Sequence, residues 1–77
     1  MTPTERFVKV LDELRKHSAF ISYVELGRMC PSLYTMRINR IREGRSNVTL
    51  PMLNELQSAF PQVDANYFFC ENVPMFR

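Results

Sequence analysis

The 77-residue sequence predicts an all-α domain, a compact bundle of five short helices. Three observations carry that prediction. Apolar residues recur at helical spacing, small polar residues stand where each such stretch begins, and no stretch alternates with the period of two that marks a half-buried strand. Neither an internal repeat nor a low-complexity run is present. At this length a single domain over 1–77 is expected, with its core between about residues 4 and 70 and an irregular tail at 71–77. Folding a chain this small buries only about 60% of the surface it exposes when unfolded. Hydrophobic residues at 45% of the chain, with six phenylalanines, make an efficient core feasible without a metal or disulfide staple.

The first helix starts at Thr2-Pro3-Thr4-Glu5, with Thr2 as N-cap, Pro3 at the first helical position and Glu5 closing a capping box. Phe7, Val10, Leu11 and Leu14 form its apolar stripe, Lys9, Asp12, Glu13 and Lys16 its polar side, and it ends near His17. Ser22 and Glu25 form a second capping box; Ile21, Val24, Leu26 and Met29 are the apolar positions of that helix. Pro31 stops it, because a proline disfavours helical geometry in the residue before it. Ser32 is expected to cap the third helix, about 33–43, with Gly44 as its stop. Thr49 caps a fourth helix carrying Leu50, Leu53, Leu56 and Phe60, in whose first turn Pro51 is tolerated. Pro61 ends it, and Asp64 caps a fifth short helix around Tyr67 to Cys70.

Several function classes recede. Cys30 and Cys70 stand forty residues apart with no CxxC pair, and His17 is the one histidine, whereas a zinc site needs about four nitrogen or sulfur ligands at recognisable spacing. Both cysteines sit in apolar contexts and are expected to be buried free thiols of a reducing compartment, with a disulfide as the alternative. No run of roughly 18 apolar residues marks a membrane span. Charged Glu5 and Arg6 so close to the start argue against a signal peptide, and a soluble cytoplasmic protein is expected. His17 beside Lys16 at a helix end suits the helix dipole better than catalysis. With only Gly27 and Gly44 there is no glycine-rich phosphate loop. No cofactor, metal or enzymatic activity is expected.

Charge is distributed unevenly. From Arg28 to Arg45 five arginines face one acid, Glu43, so that segment is +4. Residues 1–27 carry four cations and four acids, and 46–77 carry Arg77 against Glu55, Asp64 and Glu71, which is −2. At 100° per residue Tyr34, Ile38 and Ile41 share the face of the third helix that should bury. Met36, Asn39, Arg40 and Glu43 lie opposite, with Thr35, Arg37 and Arg42 on the flanks. Arginine can hold guanine through two acceptors, asparagine can hold adenine through a donor and an acceptor, and Met36 or Thr35 can touch a thymine methyl. Arg37 and Arg45 are placed to hold phosphates. A solvated basic face is the plain alternative.

Residues 22–69 resemble the helix-turn-helix domain shared by phage Cro and lambda-type repressors and by XRE-like bacterial regulators. Gly27 stands where that family has a tiny residue for close helix approach, and Ile38 and Ile41 match the apolar positions of its recognition helix. Arg40-Ile41-Arg42-Glu43-Gly44 is similar to its helix ending in glycine, and Asn47-Val48-Thr49-Leu50 to its loop and next cap. Phe60 to Phe69 resembles its closing helix, with Pro74-Met75 like the ending of many members. The resemblance implies a lambda-repressor-like fold, base contacts from Thr35, Met36, Asn39 and Arg40, and backbone contacts from Tyr23, Arg37, Arg45 and Asn47. It also implies double-stranded DNA as partner, a homodimer, and a role as a transcriptional regulator, a repressor of phage or mobile-element type. The sequence departs from the family at Pro31-Ser32, where a turn glycine is usual and one extra residue is needed, and at Val48, which replaces a common loop proline. Arg42 stands where many members carry a glutamate paired to the first helix, so either Asp12 or Glu13 pairs with it in reverse or it faces DNA. A protein-interaction module, such as an antitoxin-like or adaptor subunit using Met36 and the cluster Phe68, Phe69, Met75 and Phe76, is the alternative from another class.

Overall fold

Four α-helices and one 3-10 turn occur among the residues that the computed structural model describes, 2–70 and 72–77. Helix α1, Pro3–Lys16, begins as its local chemistry dictates. The Thr2 hydroxyl accepts the Glu5 N–H and a Glu5 carboxylate oxygen accepts the Thr2 N–H, both at 3.1 Å. That bond from the Thr2 backbone holds the Glu5 carboxyl below its ordinary value. Phe7, Val10, Leu11 and Leu14 are all buried, so the predicted stripe is the core face. At the other end Ser18 takes a left-handed conformation, φ 61°, while Ala19 N–H reaches the Leu14 carbonyl at 2.9 Å. The helix thus closes with a Schellman arrangement that more often uses glycine.

Helix α2, Tyr23–Met29, starts at Ser22, whose hydroxyl accepts the Glu25 N–H at 3.4 Å. The Glu25 carboxylate, however, accepts from Ile21 N–H at 3.3 Å, so the return bond of the expected box goes one residue further back. Of its four predicted apolar positions only Leu26 is buried; Ile21, Val24 and Met29 are exposed. A seven-residue helix packed along one edge has room for a single fully buried position.

Helix α3 spans Thr35–Arg42 and begins later than expected. Its N-cap position is Tyr34, with no side-chain cap, because the hydroxyl of Ser32 is drawn instead to the carboxylate of Glu55. Starting the helix at Thr35 also leaves Tyr34 at 45% exposure, outside the core face on which its spacing had put it. Gly44 ends the helix at φ 79°, and Arg45 N–H to Arg40 carbonyl (2.9 Å) with Gly44 N–H to Ile41 carbonyl (3.1 Å) completes a second Schellman closure.

Helix α4, Leu50–Ala59, has Thr49 at its N-cap without a side-chain bond. Met52, Leu53, Leu56 and Phe60 are buried, whereas Leu50 at the first position is exposed. A fifth α-helix does not form. Asp64 accepts the Asn66 N–H at 2.9 Å and starts a single 3-10 turn, Ala65–Phe68. Buried Arg6 fastens this segment to α1: Nη1 donates to Tyr67 O in the turn at 2.6 Å and to Cys70 O just past it at 2.7 Å. The guanidinium also lies 5.3 Å from the Tyr67 ring centroid.

The tail, expected to be irregular, is tied down. Met75 O accepts Asp64 N–H at 2.9 Å, Gln62 O accepts Arg77 N–H at 2.8 Å, and Val63 and Phe76 form an isolated antiparallel bridge. Met75 and Phe76 pack against the core, which therefore extends past residue 70. Both thiols are free; Cys30 is buried as expected, but Cys70 is exposed. Among the described residues no helix is long and apolar enough to cross a membrane.

Two outcomes follow from this packing. Arg6→Met keeps the aliphatic stem but leaves two carbonyls without their donor, and should lower urea-unfolding stability by about 2–3 kcal/mol; exposed Lys9→Ala should stay within about 0.5 kcal/mol. Burial, reinforced by the Glu55 carboxylate, pushes the Cys30 thiol from 9.0 to about 11. Between those values the unfolded chain loses this proton first, so the contribution is complete below pH 9 and disappears as pH approaches 11. The urea midpoint should therefore fall further between about pH 8 and about pH 10.5 for the wild type than for Cys30→Ala, and equal falls would contradict the assignment.

Candidate nucleic-acid interface

Ile38 and Ile41 anchor α3, at 0% and 3% exposure. With 3.6 residues per turn, burying that pair turns the opposite side outward. Met36 is 62% exposed, Asn39 and Arg40 are exposed, and Thr35 and Arg37 are half-buried on the flanks. Arg40 Nη2 approaches Met36 Sδ at 3.9 Å, so the thioether lies along the arginine one turn away. Met36, Asn39 and Arg40 therefore share one solvent-facing strip, with Thr35 at its leading edge.

The remaining predicted residues are spread around that strip. Arg45, in the loop after α3, is 76% exposed at its side chain and pairs with Glu43 at 3.2 Å. An exposed pair of this kind contributes at most about 1 kcal/mol and exchanges readily for another anion. Asn47 is exposed, and its Oδ1 accepts the Thr4 hydroxyl at 3.5 Å, while that hydroxyl accepts Val48 N–H at 3.1 Å. The loop is thus fastened to the first turn of α1 and holds its shape. Tyr23 is half-buried and works within the fold: its hydroxyl accepts Arg42 Nη1 at 3.0 Å, and its ring packs on Phe20.

Arg42 resolves in favour of the reversed pair. It donates to Asp12 at 2.7 Å, and the Asp12 carboxylate raises the guanidinium further above its ordinary value. Arg42 therefore joins α1 to α3 rather than presenting a free charge. Two further arginines were not among the candidate contacts. Arg15 on α1 lies 5.4 Å from the Tyr23 ring centroid, carrying positive charge to the junction of α1, α2 and α3. Arg28 is exposed on α2, with no ion-pair partner among the described residues. The local sequence signal for Arg28 was its charge; for Arg15 there was none, since only the fold brings it to Tyr23.

Gly27 sits where α2 and α3 meet, yet a Cβ added there would lie 3.5 Å from Tyr34 Cα, an ordinary contact. Close approach of the two helices therefore leaves room for one methyl group, so alanine would fit there as well as glycine. Among the described residues no three His, Cys, Asp or Glu side chains gather as a metal site would require. What the α3 surface can do chemically is offer guanidinium and amide donors, one amide acceptor and an apolar thioether on one convex strip. Set against family models, curated proteins and solved structures, the chain matches none of them.

Proposed function

We propose that this chain is a sequence-specific DNA-binding transcriptional regulator of the lambda-repressor-like helix-turn-helix type, a repressor of phage or mobile-element kind that works as a homodimer. The observation that carries the reading is the α3 strip: Met36, Asn39 and Arg40 stand exposed directly behind the buried Ile38 and Ile41. Such a strip has the dimensions and donors to enter a major groove and read base edges. Arg28, Arg37 and Arg45 then meet phosphates, with Asn47 and the loop beside them. Tyr23 holds Arg42 through its hydroxyl oxygen, which leaves the O–H proton to donate to a phosphate. A protein-interaction module remains the second reading, favoured by Ile21, Val24 and Phe69 at 77%, 60% and 61% exposure. Its version centred on Phe68 loses ground, because Phe68 is 1% exposed.

Selection from a randomised duplex library at moderate salt tests the proposal. The expected product is a palindrome with half-sites about one helical turn apart, and recovery of no preferred sequence would defeat it. With about four phosphates neutralised per protomer, log affinity of a dimer should fall against log salt with a slope near −7, whereas a slope near zero on any DNA would contradict phosphate binding. Arg40→Ala should cost about 1–3 kcal/mol on the selected duplex and relax the preference at one base pair. Arg45→Ala should weaken all duplexes alike; equal, sequence-blind losses from both would refute the division of roles.

A further inference from the structure

We infer that Glu55, on α4 and away from the α3 strip, is a positioning residue that sets how α3 is presented to DNA; the inference rests on the DNA-binding reading above. The turn joining α2 to α3 runs through Cys30-Pro31-Ser32-Leu33, with no glycine to relax it. Its own bonding is sparse. Pro31 has no N–H, Leu33 N–H is satisfied locally by Cys30 O at 2.8 Å, and Tyr34 at the N-cap of α3 offers no side-chain bond. Cys30 N–H closes α2 onto Leu26 O at 2.8 Å and the Cys30 and Leu33 side chains are buried, but the side-chain hydrogen bonds that reach the turn all involve one residue of α4. Ser32 N–H donates to one Glu55 carboxylate oxygen at 3.4 Å and the Ser32 hydroxyl to the other. The Cys30 thiol donates to the Glu55 backbone carbonyl at 3.9 Å.

This clamp does for the turn what local backbone chemistry does elsewhere. The closing ends of α1 and α3 are fixed by their own Schellman bonds, whereas the leading end of α3 is fixed from another helix. Ser32 is three residues before Thr35, so a rotation of the turn is passed directly to the first turn of α3, where Thr35 and Met36 stand. Base contacts with two-pronged geometry tolerate little angular error, while phosphate contacts made by flexible arginines tolerate more. Loss of the clamp should therefore reduce sequence preference before it reduces general DNA affinity.

Charge makes the test sharp. Glu55→Ala and Glu55→Gln delete the same negative charge from a protein of net charge +2, so electrostatics alone would tighten both on any DNA. Glutamine keeps an oxygen for Ser32 N–H and can exchange a bond with the Ser32 hydroxyl; alanine keeps only the backbone carbonyl that takes the Cys30 thiol. The full chain and both variants would be titrated with the duplex that the wild type selects and with a mixed-sequence duplex of equal length, helicity being followed at the same temperature. Glu55→Ala is expected to hold the mixed duplex at least as well as the wild type and to lose about tenfold on the selected one, the value of a good base contact. Glu55→Gln should lie nearer the wild type. An unchanged ratio between the two duplexes in folded Glu55→Ala would overturn the inference. Should that variant fail to fold, Ser32→Ala carries the same test, since it removes one donor and leaves α4 intact. If the wild type selects no duplex at all, the DNA reading fails on its own. The clamp is then judged by N–H residual dipolar couplings, where an α2–α3 angle unchanged in the variant would reject it.

Discussion

The burial of Ile38 and Ile41 is the constraint on which the rest of the structure depends. Helix α3 is only eight residues long, too short to be stable alone in water, so it exists because the core accepts those two side chains. Once both are seated, the rotational setting of the helix is decided, and with it which residues meet solvent. Exchanging that face by a third of a turn would bury Arg37 or Arg42 and strand an isoleucine outside. The outward strip is therefore a consequence of core packing, and its rigidity is borrowed from α1 and α2.

Around this anchor the charges divide into two kinds of work. Arg6 and Arg42 are internal fasteners: one ties the carbonyls of Tyr67 and Cys70 to α1, the other links α3 to Asp12 of α1 and to Tyr23 of α2. Arg28, Arg37, Arg40 and Arg45 stay at the surface, with only the exposed Glu43 partner competing for Arg45 among the described residues. The +4 excess of the 28–45 segment thus overstates the charge available to a partner by the one arginine committed to Asp12. The same commitment gives α3 a fixed bearing on α1, so structure and electrostatics are settled by one contact.

Features governed by neighbours in sequence were readable from sequence. The capping box at Thr2 and Glu5, the stripe from Phe7 to Leu14, the stop at Gly44 and the outward setting of Asn39 and Arg40 all follow from spacing and local hydrogen bonding. Features decided by distant partners were not. Ser32 carries every local mark of an N-cap, yet Glu55, twenty-three residues on, takes its hydroxyl and α3 starts at Thr35. Ile21, Val24 and Leu50 have helical spacing but lie beyond the reach of a small core. Cys70 and the 3-10 turn depend on Arg6, sixty-four residues away, and the folded-back tail depends on backbone groups that have no signature in composition. Within the candidate interface the outward strip was legible, while the internal roles of Tyr23 and Arg42 needed the fold to separate them from free surface groups.

The central claim is that one convex strip, from Thr35 to Asn47, meets the double helix. Amide chemical-shift mapping of the labelled protein during titration with a short mixed-sequence duplex at low salt tests it most directly. The expected result is that the largest changes fall between Thr35 and Asn47 and at Arg28, with the amides around Phe69 and Phe76 nearly still. Largest changes at that C-terminal face, or no change anywhere at low salt, would contradict the account.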